Sequence, residues 1–421
     1  VRRAIYSLLW GLLTPLILLR LLWRGLRAPA YWRGWDMRFG IYRSPAPTQP
    51  CLWVHAVSLG ETQAAAPLIR ALLLAYPQRP LLVTHMTPTG AQQARTLFGD
   101  QVLHAYLPYD FPGAVARFLR HYRPCLGLIL ETELWPNLFH ACQTQQIPVL
   151  LINARLSARS AARYQRYAPV FIRQTLATVR AAAVQTAADA ARLVSLGLDS
   201  SKITVTGNLK FDLSLSADLA TQAEALRAQW QPRPSWIAAS THEGEEEQVL
   251  RAFAWVRQQL PSCLLVLVPR HPERFNRVAR LCEQAGYRLT RRSSGAACGA
   301  ETEIYLGDTM GELPVLYAAC DVAFVGGSLV PVGGHNLLEP AALGIPVLTG
   351  PQLFNFEEIA RCLCAQGGAQ VVQNADALAV QLTQWLADPA LRQTIGAQGQ
   401  RMVAENRGAL QRVLQLVAAY L

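Results

Sequence analysis

Residues 322–348 read VAFVGGSLVPVGGHNLLEPAALGIPVL, and their pattern decides the fold class. Val322 to Val325 and Pro346 to Leu348 are short apolar runs with no polar alternation. Runs of that kind form strands buried on both faces, which is the condition of a parallel sheet covered by helices. Between them a glycine-rich loop opens onto a helical pattern that contains Asn336, Leu337, Leu338 and Glu339. Working outward, Trp236 to Ala239, Cys263 to Val268 and Ile304 to Leu306 belong to the same set. An earlier set comprises Leu52 to Val57, Pro80 to Thr84, Val102 to Leu107, Cys125 to Leu130 and Val149 to Ile152, interleaved with helical stretches such as Glu61 to Ala75 and Gly90 to Phe98. Strands alternating with helices give an α/β fold of two Rossmann-like, doubly wound domains, with the active site expected in the cleft between them. The polar, Ala-rich stretch from Ser214 to Pro234 separates the two sets and is the expected linker. The expected domains are therefore residues 28–213 and 235–421, preceded by a distinct segment over 1–27.

Composition agrees with a folded chain of that size. Of 421 residues, 51% are hydrophobic and 16% charged, which excludes a disordered protein. The formal charge is +11, yet residues 1–43 alone hold eight Arg against one Asp, so most of the excess lies beside the N-terminal apolar run. Charge placed there suits anionic lipid or a phosphorylated amphiphile; a nucleic-acid binder carries its basic stripe on the folded domain, so no nucleic-acid partner is expected. From Ala4 to Leu19 the chain is uncharged and mostly apolar, and with Arg20 snorkelling the run reaches Trp23. Arg20, Arg24 and Arg27 separate it from any cleavage site, so a membrane anchor is expected, spanning or interfacial, with the body on the cytoplasmic side. The nine cysteines are scattered, without CxxC or zinc-type spacing, so neither disulfides nor a metal site are expected.

Loops at the carboxyl ends of these strands carry the chemistry. Glu61, in Ser58-Leu-Gly-Glu-Thr62, begins a helix, and its position alone suits a helix-terminal charge as well as a general base. Glu131 and Glu133 flank Thr132 after the fourth strand and point the same way if the strand persists; capping or solvated acids fit the same pattern. Asn153 to Ser160 is polar and cationic, suited to an anionic ligand or to a helix cap. In the second half, Arg270 stands near Pro269 and Pro272, and Gly307 to Glu312 lead into a helix with free backbone N–H groups. The Gly326–Val347 loop reads as a phosphate nest, with Glu339 placed to accept from ribose hydroxyls. Of 39 basic residues only Lys202 and Lys210 are lysine, which makes Lys210 an exception worth explaining: a compact ammonium approaches a developing phosphate or carboxylate charge where a planar guanidinium does not fit.

Taken together, WVHAVSLGET (Trp53 to Thr62), ETELWPN (Glu131 to Asn137), NARLSARS (Asn153 to Ser160), GNLKFD (Gly207 to Asp212), VPRHPERF (Val268 to Phe275), GDTMGEL (Gly307 to Leu313) and GGHNLLEPAALGIPV (Gly333 to Val347) resemble the 3-deoxy-D-manno-oct-2-ulosonic acid (Kdo) transferases of lipopolysaccharide assembly. The resemblance runs from the N-terminal segment to the last helices. It implies a GT-B glycosyltransferase fold that moves Kdo from CMP-Kdo to the 6′-hydroxyl of the lipid A precursor, inverting the anomeric carbon, with no metal and no cofactor beyond the donor substrate. It implies the cytoplasmic face of the inner membrane as the location and membrane lipid as a partner. By the family pattern Glu61 is the proton acceptor, and Glu131 and Lys210 assist the transition state. CMP falls to Pro269 and Arg270, to Met310, Gly311 and Glu312, and to Asn336, Leu337, Leu338 and Glu339. Two other readings fit the two-domain pattern: a membrane-docked GT-B enzyme using a UDP-sugar, and an anchored nucleotide sensor without catalysis.

Overall fold

The computed structural model describes residues 2–213, 216–230 and 232–421. The chain forms two compact units, Val1–Asp212 with Arg407–Leu421, and Leu213–Asn406. The first holds strands β1 (Leu52–His55), β2 (Leu81–His85), β3 (Leu103–Tyr106), β4 (Leu126–Leu130), β5 (Val149–Ala154), β6 (Ala181–Val184) and β7 (Ile203–Val205), ordered β3-β2-β1-β4-β5-β6-β7. The second holds β8 (Ser235–Thr241), β9 (Leu264–Pro269), β10 (Leu289–Arg291), β11 (Ile304–Leu306), β12 (Val322–Val325), β13 (Val347–Thr349) and β14 (Ala369–Val371), ordered β10-β11-β9-β8-β12-β13-β14. Every pairing among these strands is parallel, as the absence of polar alternation requires.

Alternate residues of one strand feed opposite cores. Trp53, Ile129 and Leu151 join a cluster with Phe118 and Phe139 on one face, while Leu52, Val54 and Leu128 pack with Leu68, Ile69 and Val413 on the other. Gly127 sits in β4 because a Cβ there would meet the Trp53 ring at 2.9 Å, so the indole claims the space. In each sheet the strand order turns at one place, between β1 and β4 and between β8 and β12. Ligands of open parallel sheets bind outside the carboxyl ends of the strands at such switch points.

Three strands do not announce themselves in the sequence. β6 is Ala-Ala-Ala-Val, whose weak strand propensity is overridden by full burial, and β10 and β14 are three-residue edge strands. Two expected boundaries also move. Ser214, Leu215 and Gln231 lie outside the described residues, but Leu219–Gln229 of the expected linker is a helix. Leu219, Ala223 and Leu226 bury along one side of it, and Arg227 bonds the Ala319 carbonyl at 2.7 Å and Asp321 at 2.9 Å, so this stretch is part of the second unit. The second unit also ends before Leu421. The helix Ala409–Ala418 buries Ala409, Val413 and Val417, spaced by four, in the first unit's core. Asp212 fixes that return by accepting from the Gly408 and Leu410 N–H groups at 2.7 and 2.6 Å.

Candidate active site

In the first unit, β1 runs into the helix Leu59–Ala75, and Ser58 and Glu61 cap it reciprocally. The Ser58 hydroxyl accepts from the Glu61 N–H at 3.5 Å and donates to the Glu61 carboxylate at 3.0 Å, and the Val57 N–H donates to the other carboxylate oxygen at 2.8 Å. The capping role open from sequence is therefore real, but it does not exhaust Glu61. Burial pushes its carboxyl up to about 7; Glu131 and Glu133 add to that rise, against the Val57 and Ser58 hydrogen bonds. A carboxyl at that value is half ionised near neutrality, the condition for a base that works at pH 7.

Glu131 and Glu133 reach the same edge by another route than alternation. β4 stops at Leu130, where the sequence places its end, and Glu131 takes a left-handed backbone with φ 55°, so the condition for alternation, a strand that persists through Glu133, is not met. A non-glycine residue in that region is strained and is held there by its surroundings. Glu131 pairs with Arg155 at 3.3 Å. Burial, then Glu131, hold the Glu133 carboxyl above its usual range. Asn153, at the end of β5, is also left-handed at φ 55° and buried. Its Oδ1 accepts from the Leu209 N–H at 3.0 Å, and Asn208 Oδ1 accepts from the Lys210 N–H at 3.0 Å. Two asparagines thus set the turn Leu209–Phe211 that carries Lys210, and Arg155, two residues after Asn153, holds Glu131. Asn153 falls in a loop read only as cationic, and its positioning role has no sequence signature beyond an Asn at a strand end. The remainder of that loop is the helix cap of the alternative reading, with Ser157 accepting from the Ser160 N–H at 3.1 Å.

In the second unit the expected nucleotide residues lie at the carboxyl ends of β9, β11 and β12. Arg270 follows β9, its N–H bonded to the Thr241 carbonyl at 3.0 Å. Gly311 has φ 85°, and Met310 is exposed. The Glu312 carboxylate is occupied by Arg292 at 2.7 and 3.1 Å and by Thr309, and these bonds hold it below its usual range. Leu337 and Leu338 are core side chains, so they can serve a ligand only through the backbone. Asn336 closes the turn that enters the following short helix, accepting from Leu338 N–H at 3.1 Å and donating to Glu339 at 3.0 Å. Burial raises the Glu339 carboxyl, against Asn336 and Arg270.

The glycine-rich loop departs from its expected role in one respect. Its first amides, from Gly327, Ser328 and Leu329, donate to the wholly buried carboxylate of Glu245 at 2.7, 3.0 and 2.9 Å, with the His242 N–H at 3.2 Å. A Cβ at Gly326 would stand 2.6 Å from that carboxylate, which is why glycine is required there. That half of the nest is filled from within. The run Glu245-Glu-Glu247 after a strand was the available signal, because buried acids need donors. The sequence reading also missed three histidines. His242 and His335 stack with Nε2 atoms 2.8 Å apart, and His271 lies edge-on to His242 at 5.3 Å. Burial pushes His242 down to about 4 and His335 to about 3, with Arg270 among the cations that add to it. The pair is therefore neutral at pH 7 and shares one N–H.

Residues 33–213 match the family model described as 3-Deoxy-D-manno-octulosonic-acid transferase (kdotransferase). A 3-deoxy-D-manno-octulosonic acid transferase of Haemophilus influenzae is 42% identical over 422 residues, covering 100% of this chain and 99% of that protein. The chain belongs to the Kdo transferase family. The relative of the same name in Bordetella pertussis is 41% identical, covering 100% of this chain and 99% of that one. Residues 238–402 match the model for glycosyl transferases group 1. Among solved structures, a UDP-GlcNAc 2-epimerase from Neisseria meningitidis aligns with a TM-score of 0.56 and 17% identity, covering 88% of this chain and 100% of that one, which bears on the fold alone. This Kdo transferase is an enzyme of lipopolysaccharide synthesis, with the two Rossmann-like domains of the GT-B class.

Proposed function

We propose that this Kdo transferase moves Kdo from CMP-Kdo to the 6′-hydroxyl of the lipid A precursor, the tetraacyldisaccharide 1,4′-bisphosphate, with inversion and without a metal, at the cytoplasmic face of the inner membrane. The observation that carries the reading is Glu61: a carboxyl at a topological switch point, held by a capping box and tuned to about 7 by burial and two neighbouring acids. Glu61 removes the proton from the acceptor hydroxyl as that oxygen attacks the anomeric carbon. The bond from that carbon to the phosphate oxygen breaks, and CMP leaves with the electron pair. Lys210 and Glu131 act at the transition state, Lys210 against negative charge on the Kdo carboxylate or the departing phosphate. The donor lies over Pro269 and Arg270, the backbone of Met310, Gly311 and Glu312, and the segment Asn336 to Glu339, where Arg270 supplies the fixed positive charge.

Mass analysis of products made from the tetraacyl bisphosphate disaccharide and freshly generated CMP-Kdo tests the reading. The expected product gains one or more Kdo units. An unchanged acceptor, or inhibition by UDP but not by CMP, favours a UDP-sugar enzyme instead.

A further inference from the structure

We propose that the N-terminal helix Arg2–Arg27 does not cross the bilayer but lies in its surface, one side seated on the first unit and the other sunk in the acyl layer of an anionic membrane. Composition does not choose between these: the stretch Arg3–Leu26 has mean hydropathy 1.8 and is long enough to span. The helix's two sides do choose. Leu21 and Gly25 are buried and Tyr6, Trp10, Thr14 and Leu18 half-buried, recurring every three or four residues as one stripe over about 28 Å of a helix that is otherwise mostly exposed. Leu8, Leu12, Leu16, Leu19, Trp23 and Leu26 are all exposed and form the opposite stripe. A spanning helix would have to leave the body along that whole length.

The seated side is fastened to the unit near its N-terminus and closed over by the following turn at its other end. Ser7 Oγ and the Asn137 side-chain amide exchange hydrogen bonds at 3.2 and 3.0 Å. Trp10 stacks on Tyr109 at 6.3 Å and meets Phe111 at 5.8 Å, and Tyr6 lies 6.1 Å from Phe171. Near the other end Trp32 closes over Gly25, where a Cβ would stand 1.7 Å from the indole nitrogen. Charge identifies the occupant of the exposed side. The helix has no acidic residue, and Arg20 and Arg24 fall on the flank between its two stripes. The neighbouring stretch 154–173, which includes Phe171, has five arginines and no acid. Cations that border an apolar face suit the phosphates of an anionic lipid surface. One consequence concerns the site. Asn137 opens the helix that follows Glu131 and Glu133, and Asp110 holds that helix through the Asn137 and Leu138 N–H groups at 2.9 and 2.8 Å. The helix in the membrane thus braces the carboxylate edge at the level of a lipid acceptor's headgroup.

The test needs no sugar donor and stands apart from the proposed reaction. In the full chain, Ser7→Cys with Asn137→Cys, treated in isolated membranes with a short bifunctional thiol reagent and mapped by mass against the nine native cysteines, should close to a cross-link while the protein stays membrane-bound, because the two side chains already touch. Closure in detergent but not in membranes, or in neither, overturns the proposal. Separately, Leu12→Glu with Leu16→Glu should weaken binding to phosphatidylethanolamine vesicles containing phosphatidylglycerol by about tenfold or more, with the circular dichroism unchanged. Undiminished binding by that variant, with the fold intact, overturns it as well.

Discussion

The β1/β4 and β8/β12 switch points are the same kind of place in two parallel sheets, and the side chains that fill them are chemically opposite. The first gathers carboxylates, Glu61, Glu131 and Glu133, with burial and mutual repulsion keeping Glu61 and Glu133 reluctant to ionise. The second gathers Arg270 and neutral histidines around glycine amides, and the buried acid Glu245 is spent on holding that loop. One doubly wound architecture therefore gathers acids at one switch point and a cation with glycine amides at the other, the pairing that the proposed proton acceptor and donor site call for, and the difference lies in loop residues rather than in the sheets. Near these strand ends the backbone turns left-handed in residues that are not glycine: at Glu131, just past β4, and at Asn153 and Ser240, each one residue before its strand ends.

If the division is correct, damage to the first edge should spare nucleotide binding. The largest effect is expected from Glu61→Gln, which should lower turnover ~100-fold or more while CMP affinity in calorimetry stays nearly constant. Lys210→Ala should lose about tenfold or more in turnover. Lys210→Arg should lose almost as much with little change in thermal stability, since the charge is kept and the shape is not; an Arg variant close to wild type would reduce the requirement to charge alone. On the second edge, Glu245→Ala leaves three loop amides without their acceptor and should cost roughly 3 kcal/mol in a denaturant titration, with CMP binding weakened through the loop. The smallest effect sharpens the first edge: Glu133→Gln removes a negative neighbour of Glu61, so the acid limb of the rate profile should move to lower pH by about half a unit or less.

The sheets were legible because burial on both faces leaves continuous apolar runs, and the placement of Glu61, Arg270 and Glu339 in loops after strands was legible because Gly, Pro and charged residues follow those runs directly. The misses have physical causes. Alanine strands such as β6 lack the branched side chains that mark a strand, and the stripe Leu219, Ala223, Leu226 is hidden in a composition that also suits a linker. The Glu245 carboxylate in the glycine loop and the His242–His335 contact join residues 82 to 93 positions apart, and no local pattern records such a meeting. The N-terminal helix is apolar on both sides, so its sequence does not disclose which side the half-buried stripe from Tyr6 to Leu18 takes.

The claim that one edge titrates for catalysis is tested most directly by the pH dependence of turnover in wild type and Glu61→Gln side by side. Glu61 must be ionised to accept a proton, so wild-type turnover should rise with pH through about 7, and the residual turnover of the variant should be low and flat over the same range. A variant that retains the wild-type rate, or keeps the same limb near 7, would contradict the assignment of the base to Glu61.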